Sequence, residues 1–364
     1  VDFQHSPEQE ALRETVRAWL ADHLPLERLH RSVDGPVGLT DAEWAEMARL
    51  GWCGLLVPED RGGLGLGLVD AGVVLEEMGR VPAPGPYLSA AVLVPLAARH
   101  LGVPELLEGV ADGRVRGAVA IEEAGSGDPV LRTRTRARRR GATWRLSGQV
   151  PVVLDAPGAD WVLVPARTQE GIQAFRLDGV RAEAVPLLDP TRAAGRLELV
   201  EAAAEPVGPP ADQTAAWRRL ADDAAVALAA ELVGVADRAL ADAIDYAKQR
   251  VQFDVPIAGH QVIQHKLVDM LHALELGRVG VHFAAWASDA DDPARARAAA
   301  IAKAQMGEAA VKATAENIQV HGAVGFTWHP RAHYLFKRAK VNDTLAGGRS
   351  WQHRRVADLV LAET

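Results

Sequence analysis

The run Arg250-Val251-Gln252-Phe253-Asp254-Val255-Pro256-Ile257 separates two long apolar-periodic stretches, and its surroundings decide the fold. Before it, Leu228, Leu232, Val235, Ala239 and Ala243 recur at helical spacing up to Tyr246. After it, a second helix is predicted from Gln261 through HKLVDMLHALELGRVGVHFAAWA. A third is predicted from Asp292, as N-cap before Pro293, to Ile318. WQHRRVADLVLA closes the chain as a last helix. Long alanine-rich helices with short connections describe an antiparallel four-helix bundle, assigned to residues 209–364.

Outward from the bundle the pattern changes. GAVAIEE, TRTRARR, WRLSGQVPVVL, DWVLVPAR and IQAFRLDG are short, β-branched or alternating segments divided by Gly, Pro and Asp. They predict a small β-barrel domain over 114–208. AGRLELVEAAAEPVGPPADQ reads as a hinge segment between that domain and the bundle. Arg132, Arg134, Arg136 and Arg138 alternate with Thr133, Thr135 and Ala137, which puts the arginines on one strand face. That face is solvated, or it contacts phosphate or a partner. Residues 1–113 read as helices. Ser6-Pro7 with Gln9, and Thr40 with Glu43, are capping boxes, and VDAGVVLEEMGR and PYLSAAVLVPLAARHLG continue the helical period. The fold class is mostly α with a middle β domain.

Composition narrows function. The chain has 364 residues and a formal net charge of −8, against a nucleic-acid or anionic-membrane binder. Its single cysteine, Cys53, excludes an intrachain disulfide framework and a thiolate metal cluster. No apolar run approaches a membrane span, and the acidic amphipathic start does not resemble a signal peptide. A cytoplasmic protein is expected. His329 and His333 lie four apart with Pro330 between them and no acidic or thiol ligand beside them, so no metal site is expected. No nucleophile elbow, Walker loop or dinucleotide fingerprint is present.

Two segments carry more chemistry than packing requires. Arg250, Gln252 and Phe253 offer a bidentate phosphate donor, an amide and an aromatic surface. Arg250 equally suits the carboxyl-terminal dipole of its helix, and both readings stay open on these residues alone. In Gln319-Val320-His321-Gly322-Ala323-Val324-Gly325-Phe326-Thr327 a long helix runs into glycines, where backbone amides can approach a ligand or the helix can simply stop.

With the loop Pro58-Glu59-x-x-Gly62-Gly63-x-Gly65, these segments resemble signatures of the acyl-CoA dehydrogenase family in order and spacing, over nearly the whole chain. The resemblance implies an amino-terminal helical domain, a β domain and a carboxyl-terminal bundle around FAD. It implies removal of two hydrogens from the α and β carbons of an acyl-CoA thioester, by a glutamate base and flavin N5. It also implies dimers that share each FAD. One subunit's β domain cradles the isoalloxazine, while the other's segments, here Arg250, Gln252, Phe253, Gln319, Val320, Gly322 and Gly325, hold the pyrophosphate and adenosine.

The chain departs from the family where chemistry happens. The threonine-bearing run beside the flavin reads Glu122-Glu123-Ala124-Gly125-Ser126-Gly127-Asp128, and the tryptophan-threonine run reads Val152-Val153-Leu154-Asp155. The usual base position is Ala346, and the alternative one falls near Ala224. Alanine accepts no proton. Asp222, Asp223 and Glu231 are the nearest carboxylates, and none matches the family position. The pattern resembles the non-catalytic subunit of the α2β2 heteromeric acyl-CoA dehydrogenases of actinobacterial steroid and cholesterol catabolism. Such a chain completes the FAD site of a homologous catalytic subunit, and that partner binds most of the acyl-CoA. Two other readings stand beside it: an autonomous flavoenzyme whose base has moved to Asp222, Asp223 or Glu231, and a flavin-free structural partner.

Overall fold

The computed structural model describes residues 3–31, 38–121, 128–327 and 331–362. The chain opens with helices α1 (Pro7–His23), α2 (Leu26–His30), α3 (Asp41–Arg49) and α4 (Leu68–Arg80). Ser6 accepts from the Gln9 amide and Thr40 from the Glu43 amide, so both predicted capping boxes form. The amino end of α4 is capped from afar. Leu68 N and Val69 N donate to the Asp289 carboxylate at 2.7 and 3.0 Å, and a Cβ on Gly67 would meet that carboxylate at 2.2 Å. PYLSAAVLVPLAARHLG is not one regular helix. Tyr87–Leu93 winds as a π-helix and only Val94–Leu101 is α-helical, as α5. Pro95, at the start of α5, has no N–H, which disturbs the ordinary hydrogen-bond ladder there.

The middle strands are β1 (Gly117–Val119), β2 (Arg136–Arg140), β3 (Thr143–Leu154), β4 (Trp161–Arg167), β5 (Ile172–Asp178), β6 (Glu183–Ala184) and β7 (Ala194–Val207). Their order is β1-β4-β2-β3-β7-β5, and an antiparallel β4–β5 pairing closes the path into a barrel. Leu146, Val150, Val164, Phe175, Leu197 and Leu199 fill it. One expectation fails. Residues 194–207, read as part of a hinge, form the longest strand, which pairs with β3, β5 and β6. Alanines and glutamates with low strand propensity hid it; the neighbouring strands hold it in place.

Helix α6 (Thr214–Gln249) is central to the bundle, followed by a hairpin of β8 (Val251–Gln252) and β9 (Val255–Pro256). Then come α7 (Gln261–Asp289), α8 (Arg295–His321), α9 (Ala332–Thr344) and α10 (Arg349–Ala362). The third bundle helix starts at Arg295 rather than Asp292, because Asp292 Oδ1 accepts from Ala294 N at 2.8 Å in a turn ahead of it. A run of alanines buried along α6 and α8 lets the two helices pack closely. Among the described residues no helix is long and apolar enough to cross a membrane.

Candidate functional site

At one end of the bundle α6 stops at Arg250, whose extended backbone (φ −76°, ψ 118°) leads into the hairpin. Phe253 and Asp254 hold left-handed angles of 56° and 63° at its tip. This turns Phe253 outward, 88% exposed, with only an edge contact to His260. Arg250 and Gln252 are exposed, and among the described residues no carboxylate pairs with Arg250.

The end of α8 lies beside it. His321 is held by a bond from Nδ1 to Asn317 O at 2.9 Å, and its ring stacks on Tyr246, one turn before Arg250, with centroids 4.3 Å apart. Gly322 turns the chain at φ 62°, while a Cβ on Gly325 would meet Ile318 O at 2.7 Å. Gln319 is exposed on this end and Val320 is buried beneath it. The Arg250 and Gln319 segments therefore form one surface, with a guanidinium that has no carboxylate partner among the described residues beside the open backbone of Gly322. That donor set fits a diphosphate. Tyr246, the residue that aligns the two segments, was not singled out in the sequence, although its place one turn before Arg250 is the signal.

The two positions where the family resemblance places a base lie elsewhere. Ala224 precedes Arg250 by 26 residues, about 39 Å of helix axis. Ala346, buried at φ 53°, lines a recess of about 210 Å³ with Ala221, Asp222, Trp351 and Arg355. All three candidate carboxylates already have partners. Asp222 takes both Arg355 Nη groups, Nη2 at 2.8 Å; burial raises its carboxyl pKa while Arg355 opposes the shift. Asp223 accepts from Ser288 Oγ at 2.5 Å and faces His100 Nε2 at 2.6 Å. Glu231, 2% exposed, sits between Arg192 (2.5 Å) and Arg338. Burial alone would raise its pKa, but the two guanidiniums hold it below the ordinary glutamate value. Arg338 also bonds Asp189, Thr191 Oγ1 at 2.6 Å, and the carbonyls of Pro82 and Ala83 at 3.2 Å. This cluster ties the β-domain loop, the bundle and the amino-terminal helices into one buried network.

On the barrel side, Val153 and Leu154 are buried and Val152 half-buried, and none carries a polar side-chain atom. Asp155 follows at φ 57° and accepts from Ser89 Oγ at 2.5 Å. Burial pushes its carboxyl up to about 6, against the Ser89 bond and the charges of Arg192 and Arg338. These residues do not fit a flavin edge that needs hydrogen-bond donors. Glu122 through Gly127 lie outside the described residues, as do His329 and Pro330. Among the described residues no cluster of three or more metal-ligating side chains occurs.

Residues 6–100 match the acyl-CoA dehydrogenase N-terminal domain and residues 215–361 its C-terminal domain. The chain belongs to the acyl-CoA dehydrogenase family. It is 32% identical over 335 residues to the acyl-CoA dehydrogenase IpdE2 of Mycobacterium tuberculosis, covering 91% of each chain. Among solved structures it is similar to a variant of the Tcur3481–Tcur3483 steroid ACAD (TM-score 0.89, 32% identity, 98% of both chains). It is also similar to the ChsE4–ChsE5 complex from Mycobacterium tuberculosis (TM-score 0.88, 28% identity, 100% of both chains). FAD is the cofactor of this family.

Proposed function

We propose that this chain is the non-catalytic subunit of a heteromeric acyl-CoA dehydrogenase. It completes the FAD site of a homologous partner that supplies the flavin-ring pocket, the base and most of the acyl-CoA contacts. The observation that supports this reading is that Arg250 is exposed and without a carboxylate partner among the described residues, whereas alanines stand at 346 and 224. The carboxylates of Asp222, Asp223 and Glu231 are taken by Arg355, by Ser288 and His100, and by Arg192 and Arg338. Arg250 lies about 39 Å of helix axis from Ala224, so the two positions serve different ends of the chain's bundle. On this reading Arg250 serves a flavin whose ring lies on the partner chain, as in the shared sites that the family resemblance implies. On that flavin Arg250 would hold the diphosphate, while Gln319 and the amides around Gly322 and Gly325 would meet the adenosine side. FAD supplies the redox chemistry; this chain supplies binding and position.

The paired names of the ChsE4–ChsE5 complex and the Tcur3481–Tcur3483 steroid ACAD support a two-chain assembly, and the latter supports a steroid-derived acyl-CoA as substrate. Expression with and without a homologous catalytic chain tests the proposal. Flavin absorbance should appear in the co-purified complex and not in the lone chain. A yellow lone chain would contradict it.

A second reading rests on Asp222, which lines the same recess as the vacant Ala346 position. There it would act as a relocated base, although it is committed to Arg355. Turnover by the lone, FAD-loaded chain that Asp222→Asn abolishes would establish that reading.

A further inference from the structure

Far from the bundle end, the barrel carries a groove of about 880 Å³ lined by Arg136, Arg138, Arg139 and Arg167, with Trp144 beside them and Glu170 at its edge. Four guanidiniums against one carboxylate stand out on a chain of net charge −8. The sheet register makes the crowding worse. Arg138 lies directly opposite Arg145 across the β2–β3 ladder, and Arg136 pairs with Arg167 of β4. Like charges placed opposite one another repel, and strands usually avoid the arrangement. The fold does not relieve it. Arg167 donates to the carbonyls of Thr133, at 2.7 Å, and Leu131; Arg145 donates to Glu201 O at 3.2 Å; and Arg139 donates to Gly141 O at 3.2 Å. Glu201 spends its carboxylate on Arg140, at 3.0 Å, and on Ser147. Among the described residues, Arg136 and Arg138 have no carboxylate partner.

We infer that this groove binds a small phosphorylated ligand through Arg136 and Arg138. Arg136 and Arg138 stand two residues apart on one strand face, where planar guanidiniums match phosphate oxygens two at a time, and a bound dianion would neutralise the repulsion that the strands otherwise carry. The site is separate from the Arg250 end, since it lies on β2 and β4 rather than on the bundle.

Calorimetric titration of the full chain carrying Arg250→Ala, which removes the other diphosphate donor, reads this groove alone. Inorganic pyrophosphate should bind saturably, and Arg136→Ala with Arg138→Ala should weaken it at least tenfold. Arg13→Ala with Arg114→Ala, an equal loss of charge at arginines outside the groove that pair with Glu10 and Asp112, should leave it unchanged. ADP binding more tightly than pyrophosphate would identify a nucleotide; equal binding would identify phosphate alone. The double variant should melt no lower than its parent, because it removes repulsion. Absence of saturable binding, or binding that the double variant leaves intact, would overturn the inference. So would a double variant that binds no less pyrophosphate but separates the chain from its partner, which would assign the face to protein contact.

Discussion

The ring of Tyr246 stacks on that of His321 at 4.3 Å and 25° between planes, joining the end of α6 to the end of α8. That contact makes a single surface of two segments that lie about seventy residues apart in sequence. It places the exposed Arg250 beside the glycine turn at 322–325, so the cofactor reading depends on both segments together.

Arg250→Ala should therefore strip FAD from the complex without unfolding the chain. Charge-assisted bonds are worth about 1.5–3 kcal/mol, so affinity should fall roughly ten- to hundredfold. Arg250 is exposed, and thermal unfolding should barely move. Flavin content after gel filtration measures the first effect and calorimetry the second; unchanged flavin content would remove Arg250 from the site.

In the complex, Asp222→Asn should leave turnover within a few-fold of the parent, because the base is on the partner. A general base contributes on the order of 10²- to 10⁴-fold. A loss of that size, assayed with acyl-CoA and an artificial electron acceptor, would show that Asp222 takes the proton.

Glu231→Ala should destabilise the fold strongly. It leaves Arg192 and Arg338 buried without their shared carboxylate, and breaking a buried pair costs about 3–5 kcal/mol. Denaturant titration should show the loss in the lone chain, in the absence of any substrate or cofactor.

Much of this was legible in the sequence. Helical periodicity marked α6 to α8, and the capping boxes at Ser6 and Thr40 started their helices where expected. Arg250 and Gln319 stood out because polar residues interrupt an apolar pattern there, and both are exposed in the fold. The strand at 194–207 was missed because its register is imposed by β3 and β5, not by its own alanines. The Glu231–Arg338–Asp189 cluster was equally hidden. Its members lie 42 to 149 residues apart, and no local pattern signals which charges will be buried together.

Asp155 makes stability depend on pH. Its folded carboxyl titrates near 6 rather than 3.8, so between those values the native state holds more protons than the unfolded chain. Stability therefore falls as pH rises through that window, and the full penalty, on the order of 2–3 kcal/mol, is present above it. Asp155→Asn keeps a Ser89 acceptor and tolerates the left-handed backbone. It should raise the melting temperature at pH 7.5, and the gain should vanish near pH 4. An equal gain at both would show that Asp155 does not titrate there.

The central claim is that this chain contributes a half-site for FAD and no base. Native mass measurement of the co-purified complex, with flavin quantified by absorbance, tests it most directly. The account predicts two copies of each chain and one FAD for each unlike pair. One FAD per chain, or a stable FAD-loaded assembly of this chain alone, would contradict it.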